Sequence, residues 1–167
     1  MKRILCMILA VSALFFLIAC TNEKIEDPVS FYYIRTKYTY GGADSVIVEE
    51  TRNSEEYSSE YHLVKAYLEG PNDVSLDCPF STATKLMNLH LEGDTVYITL
   101  SSHLIVLSKA KQTLAAVCLL KSLNDFSNIN TIQIEVEAIP FGSVEPIIVS
   151  MDDIHLYDSL IEQIEIN

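Results

Sequence analysis

The chain has 167 residues, of which 49% are hydrophobic and 20% are charged. This composition excludes a wholly disordered chain and fits one folded domain with at most a short appendage. Its 23 acidic and 11 basic residues give a formal net charge of −12, so the chain lacks the electrostatic attraction on which nucleic-acid binding depends. Only five glycines are present, which argues against a glycine-rich phosphate-binding loop.

The first twenty residues have the layout of a secretory signal peptide. Lys2 and Arg3 form a short positive region, an apolar run follows over 4–18, and a small residue then precedes a cysteine. This ending resembles the bacterial lipobox, which implies that the thiol of the cysteine receives diacylglycerol and that cleavage occurs before it. An ordinary signal peptide and an uncleaved anchor are the alternatives. The residues that carry the resemblance are Leu17, Ile18, Ala19 and Cys20.

The sequence divides into four parts on this interpretation. They are a signal peptide (1–19), a lipidated cysteine with a short tether (20–28), a folded domain (29–151) and a C-terminal tail (152–167), whose apolar residues have helical spacing. We expect an extracytoplasmic protein that is anchored to a bacterial membrane by the lipid on Cys20. The expected partners are this membrane and either other envelope proteins or further copies of the chain, with no nucleic acid. A small ligand is disfavoured, and a lipoprotein that binds a small ligand or glycan is the alternative.

The four cysteines have different expected fates. Cys6 leaves with the signal peptide, and Cys20 is the lipidation site. Cys78 precedes Pro79 in a predicted loop, whereas Cys118 lies in a predicted buried helix. A disulfide between these two is one alternative in an oxidising compartment. Two separate reduced thiols are the favoured interpretation.

The first half of the domain is predicted to form two strands and a helix. Apolar and polar residues alternate over 29–40, which predicts a strand, and a second short strand follows over 45–50. Asn53 is a candidate N-cap for a helix that ends at Gly70-Pro71. The predicted apolar stripe of this helix consists of Tyr57, Tyr61, Val64 and Leu68.

The second half is predicted to form a β-hairpin, a more buried helix and two further strands. The element order predicts an α+β fold, with a small mixed or antiparallel sheet and two helices packed on one of its faces. The segments are the hairpin strands 85–91 and 95–101, the helix 108–124, and the strands 131–137 and 147–149.

Catalytic motifs are missing from the sequence. No serine lies in a nucleophile elbow, and neither HExxH, CxxC nor a paired-histidine spacing occurs. We therefore expect no catalytic residues, no metal and no cofactor, and a protein that is not an enzyme. The four histidines are scattered, at His62, His90, His103 and His155.

The nine tyrosines are the one unusual feature of the composition, because several cluster on the first predicted strand. Ordinary strand propensity and half-buried packing explain such a cluster. The alternatives are an aromatic interaction face and a pocket for a glycan or peptide. The candidate interaction face comprises Tyr32, Tyr38, Tyr57 and Tyr61, and the candidate pocket comprises Tyr32, Tyr38 and Tyr40.

Most of the predicted domain resembles the GerMN domain, a family named for a sporulation and spore-germination protein. Two of the matching segments are AYLEGP, which ends the first helix, and DTVYITLS, which forms a strand. Their order along the chain carries the resemblance, because a Gly-Pro after a helix is common by itself. The matching segments are 29–34, 66–71, 77–86, 94–101, 114–123, 124–126 and 129–136.

The resemblance implies a fold similar to ring-building modules that pack side by side in secretion and sporulation complexes. It also implies an envelope protein, often a lipoprotein, that binds or scaffolds other proteins and has no known active site. It assigns no functional residue within the domain.

Overall fold

The computed structural model describes residues 28–37, 46–137 and 144–154. The lipobox, Cys20, Tyr38, Tyr40 and the tail after Ile154 lie outside these residues, so the predictions that concern them stay predictions. Among the described residues, neither helix is both long and apolar enough to cross a membrane.

The first of two sheets is antiparallel and has three strands, in the order β2-β1-β3. Phe31 and Tyr33 point into the core and Tyr32 is half-buried, which confirms the predicted alternation. The third strand is very short and pairs only with Ile34 and Arg35. The bounds are β1 Pro28–Arg35, β2 Ile47–Asn53 and β3 Leu76–Asp77.

The second sheet has four strands, in the order β4-β5-β6-β7. Strands β5 and β6 are parallel, whereas the other two pairings are antiparallel. A parallel pair requires a crossover connection, and a helix supplies it here. The bounds are β4 Leu86–Glu92, β5 Thr95–Leu100, β6 Thr131–Val136 and β7 Ile147–Ser150.

The crossover helix α2, Lys109–Ser127, contacts both sheets. Ser108 caps its first turn by accepting a hydrogen bond from the backbone N–H of Lys111, and Asn128 ends it in a left-handed conformation. The small buried residues Ala115 and Ala116 allow close approach of its neighbours. Helix α2 is thus the centre of the core, as its apolar sequence predicts, and it ends three residues later than predicted.

The shorter helix α1, Glu60–Glu69, begins later than predicted. Asn53 caps only a short 3-10 turn, Ser54–Glu56, whereas the hydroxyl of Ser59 caps the helix. This later start changes which side chains face the core, because the predicted stripe assumed continuous helix from residue 54. The buried residues of α1 are Leu63, Val64 and Tyr67.

The α+β class is confirmed, but the strands form two sheets rather than one. The reason lies at Tyr32. Here the edge of β1 that faces away from β2 contacts the two helices instead of another strand. Its backbone N–H donates to the hydroxyl of Ser122 on α2 (2.9 Å), and its carbonyl accepts from the hydroxyl of Tyr67 on α1 (2.8 Å). Two helix side chains therefore satisfy backbone groups that a fourth strand would otherwise pair.

Removal of either hydroxyl should destabilise the domain. Ser122→Ala leaves the N–H of Tyr32 without its partner, and Tyr67→Phe does the same to the carbonyl, so we expect each to lower the free energy of unfolding by about 1–3 kcal/mol. Urea unfolding measures this loss. The control is Ser127→Ala, which removes a hydroxyl that bonds only to the helix carbonyl of Leu123. Equal losses in Ser122→Ala and Ser127→Ala would contradict the edge-closing role.

Candidate interaction site

An aromatic cluster holds α1 against the first sheet. The rings of Tyr33 and Tyr67 stack with centroids 4.8 Å apart, and Phe31 contacts Tyr57 at 5.2 Å. Tyr57 is 8% exposed and belongs to this cluster, so it is a core residue rather than part of an exposed face. The cluster fixes the helix that forms one wall of the candidate site.

Arg52 on β2 stabilises the loop that follows α1. Its guanidinium donates to Glu50 (2.6 Å), to the hydroxyl of Tyr33 (3.1 Å) and to the carbonyl of Gly70 (2.7 Å). It also lies 4.3 Å from the ring centre of Phe31, which is a cation–π distance. Burial alone would lower the pKa of Arg52, but the hydrogen bond to Glu50 and the neighbouring charges raise it.

The carboxylate of Glu50 completes this connection. It accepts hydrogen bonds from the backbone N–H groups of Asn72 and Asp73, each at 2.9 Å. The side chains of Glu50 and Arg52 are 11% and 9% exposed. One nearly buried ion pair therefore joins β2 to the backbone of residues 70–73, which sets where α1 ends and where the chain turns towards β4.

A groove of about 370 Å³ lies between α1 and the segment that leads into β4. Tyr61 is 45% exposed and lines it, as do Lys65 and Lys85. Neither lysine has an ion-pair partner among the described residues. With two lysines against the single carboxylate of Glu69, the groove is locally positive in a chain whose net charge is −12. The remaining lining residues are Leu68, Glu69, Thr82, Thr84 and Leu86.

The free edge of β4 continues from this groove. Strand β4 is the terminal strand of its sheet and has seven residues, of which only Glu92 at the end is formally charged. Met87 and Leu91 are 48% and 42% exposed. The edges of β3 and β7 are short, and β2 exposes the charged side chain of Glu49. The register of β4 shifts between Leu86 and Asn88, and residues 88–92 beyond this shift pair regularly with β5. Among the described strands, β4 thus offers a long edge with a single formal charge.

The three described tyrosines of the candidate sets, Tyr32, Tyr57 and Tyr61, lie in different environments. Tyr32 is half-buried under α2, where its hydroxyl donates to Asp125 (2.6 Å) and the ammonium group of Lys121 lies 5.1 Å from its ring. Burial and the Asp125 carboxylate raise its pKa. Of the candidate face, the described residues place only Tyr61 at the surface. A pocket that uses Tyr32 gains no support from this packing.

Sequence reasoning missed the two lysines and the exposed Met87. The spacing of Tyr61, Lys65 and Glu69, four residues apart on one helix, is the signal that places them on one face. Nothing local in the sequence places Lys85 beside that face, because the approach of β4 to α1 is a tertiary contact. Leu91 lies at the end of the predicted hairpin strand 85–91, and its exposure follows from the position of β4 at the edge of the sheet.

The two cysteines of the domain are free thiols, Cys78 half-buried and Cys118 buried. Burial raises the pKa of Cys78 to about 11 and that of Cys118 to about 12, so both stay protonated at neutral pH. Thiolate is the nucleophilic form. No group of three potential metal-ligating side chains occurs among the described residues.

A family model described as Germane, for sporulation and spore germination, matches residues 30–140. The chain belongs to this family. No curated protein matches its sequence.

Two solved structures of GerMN domains are similar in fold to this chain. The first GerMN domain of the sporulation protein GerM from Bacillus subtilis is 17% identical, with 76% of this chain and 99% of that chain covered and a TM-score of 0.55. The tandem GerMN domains of the same protein are 16% identical, with 77% and 46% covered and a TM-score of 0.51. At these identities the likeness bears on the fold alone.

A third solved structure is a Clostridium perfringens protein provisionally classed as a lipoprotein. It is 21% identical, with 81% of this chain and 95% of that chain covered, and its TM-score is 0.47. Its backbone superposes on this chain less closely than the two GerMN structures do.

Loss of Arg52 should destabilise the GerMN domain strongly. In Arg52→Met the buried carboxylate of Glu50 loses its charged partner, which typically lowers stability by about 3–5 kcal/mol. Arg52→Lys keeps the charge but cannot reproduce the forked contacts, so a smaller loss is expected. Lys121→Met is the control, because that cation touches only the ring of a half-buried tyrosine. Similar losses for Arg52→Met and Lys121→Met in urea unfolding would refute the role of Arg52.

Stability should fall at alkaline pH. In the unfolded chain the thiols ionise around their ordinary pKa of 9.0, whereas in the folded domain they ionise at about 11 and 12. Their contribution is therefore complete below pH 9 and is lost as pH rises towards 12, at about 1.4 kcal/mol per thiol and pH unit. Urea unfolding between pH 7 and 11 tests this. Cys78→Ala should reduce the slope, and an unchanged slope would contradict the assignment.

Proposed function

We propose that this protein is an extracytoplasmic lipoprotein whose GerMN domain binds proteins and catalyses no reaction. The observation that carries the proposal is the open edge of β4 beside the groove that contains Tyr61. Proteins recognise extended segments by adding a strand to such an edge, with backbone hydrogen bonds for affinity and neighbouring pockets for specificity. The sporulation and germination family supports a role in the cell envelope.

The chemistry of the groove supports binding rather than catalysis. Its aromatic ring, two ammonium groups and apolar side chains can stack, pair with carboxylates and bury apolar surface. The buried hydroxyl of Thr84 has no hydrogen-bond partner among the described residues, so no base is placed to activate it as a nucleophile. The buried thiols are protonated at neutral pH, which supports a structural role for both.

The proposed anchor explains where this binding would occur. The resemblance to a lipobox supports a lipid on Cys20, and the first strand of the domain begins at Pro28. A tether of this length spans on the order of 30 Å when fully extended. The groove and the β4 edge would therefore stay close to the membrane surface, where partners that are also membrane-bound have a high effective concentration.

Crosslinking in intact membranes tests the proposal. The anchored wild-type protein should crosslink to a small, reproducible set of envelope proteins, or to itself, and Cys20→Ser should lose both the lipid and these products. Cys78→Ser is the matched control, because it removes a cysteine that receives no lipid. Detection of the lipid by mass spectrometry separates failure of the anchor from failure of binding.

A substitution in the groove tests the site itself. Lys65→Glu should reduce the crosslinked products several-fold, because it reverses one of the two positive charges in the groove. Lys121→Glu is the control, since this lysine lies over Tyr32 and outside the groove. Equal yields of crosslinked product from Lys65→Glu and Lys121→Glu would refute binding at this site.

A further inference from the structure

We infer that the β4 edge pairs antiparallel with the β4 edge of a second copy of this chain, around a two-fold axis at Leu89. The inference rests on the proposed function, because it names the partner of the same site. It would join two four-stranded sheets into one continuous eight-stranded sheet. The side-chain pattern of β4, its charges and the adjacent groove each support a copy of the same chain as the partner.

The apolar side chains of β4 are self-complementary. The register of β4 against β5 shifts between Leu86 and Asn88, so Met87 is the extra residue of a β-bulge. In a symmetric antiparallel pair centred on Leu89, Leu89 therefore lies opposite its own copy, and Leu86 lies opposite Leu91 of the second copy. Leu91 is exposed, and Leu86 is partly buried. Leu89 and Leu91 share one face, because they pair with Ile98 and Val96, whose side chains are buried. One arrangement therefore brings together Leu86, Leu89 and Leu91 of both strands and leaves Met87 outside the ladder.

The opposite face of the two paired β4 strands is polar and is equally compatible with self-pairing. Asn88 of one copy lies opposite His90 of the other, and both belong to the side of the sheet that carries Tyr97 and Thr99. The ring of His90 already stacks on that of Tyr97, with centroids 4.7 Å apart. No pair of acidic residues is brought face to face along the strand, which matters for self-association of an acidic chain.

The charges at the ends of the paired strands are complementary. With Met87 outside the ladder, the centre at Leu89 places Lys85 of one copy opposite Glu92 of the other. Lys85 precedes Leu86, and together with Lys65 it lines the groove at this end of β4. The acidic turn that contains Glu92 and Asp94 in the second copy would thus approach two lysines without other ion-pair partners among the described residues. The symmetry repeats this contact at the other end.

The blunting of the other edges makes the pairing specific. A second copy offers β4 as the compatible strand, because β2 exposes the charged side chain of Glu49 and β3 and β7 are too short for a long ladder. An isologous contact of this kind closes after two copies and does not propagate into a fibre. The geometry therefore predicts a dimer rather than a polymer.

A single cysteine at the symmetry axis tests the pairing in the anchored, full-length protein. Opposite residues have Cβ atoms about 4.5–5.5 Å apart, so mild oxidation of Leu89→Cys should give a disulfide-linked dimer in most molecules. Ile148→Cys, at the other edge of the sheet and 60% exposed, is the matched control and should stay monomeric. The native thiols of the domain are protonated at neutral pH, with Cys118 buried and Cys78 half-buried, so they contribute little background. Equal dimer yields for both variants would overturn the inference.

A mixed pair tests the register. Leu86→Cys and Leu91→Cys, each expressed alone, should give little dimer, because a residue and its own copy would lie about 13 Å apart along the strands. Co-expression of the two, with different tags, should give disulfide-linked heterodimers. Dimers of Leu91→Cys alone that equal the heterodimers would refute this register.

A non-covalent measurement separates this inference from the proposed function. Sedimentation equilibrium of the lipidated protein in detergent should show a dimer that Leu91→Lys converts to a monomer and Ile148→Lys leaves intact. A wild-type monomer that nevertheless crosslinks to another envelope protein through the groove would refute self-pairing and retain the proposed function. A dimer insensitive to Leu91→Lys would refute the β4 interface, whatever else the domain binds.

Discussion

The backbone of one residue, Tyr32, organises the domain. Its N–H and carbonyl face away from β2 at a point that the two-residue β3 does not reach, and a buried edge of this kind requires hydrogen-bond partners. The hydroxyls of Ser122 and Tyr67 supply them, one from each helix. Both helices are thereby fixed to the same strand. The arrangement of the groove between α1 and β4 follows from this constraint.

The ion pair between Arg52 and Glu50 on β2 stabilises the loop that follows α1. Arg52 and Glu50 are two residues apart on one strand, yet between them they contact two aromatic rings and three backbone groups of the loop after α1. An isolated buried ion pair often adds little stability. Here its hydrogen bonds satisfy backbone groups of a turn that contains Gly70 with a φ of 99°, and this turn directs the chain towards β4.

Local sequence signals predicted much of the fold and little of the site. Alternation over β1 and β6 and the apolar run of α2 identified these elements because their burial is periodic. Asn53 misplaced the start of α1, since an Asn capping signal is equally compatible with a short 3-10 turn and Ser59 offered a competing cap. The division into two sheets depends on Ser122, a polar residue in an apolar helix whose role is visible only beside Tyr32.

The bond between Ser122 and Tyr32 joins residues 90 positions apart in the chain, and this separation bears on how the protein folds. A strand whose edge is closed by such a distant residue cannot be completed until α2 has been synthesised and has docked. If the chain is exported in an unfolded form, N-terminus first, β1 emerges long before the helix that covers it. Until α2 arrives, the aromatic side chains of β1 are exposed to solvent and open to aggregation. The domain therefore depends on late-emerging residues for the protection of its first strand, which makes truncation within α2 as damaging to β1 as a change in β1 itself.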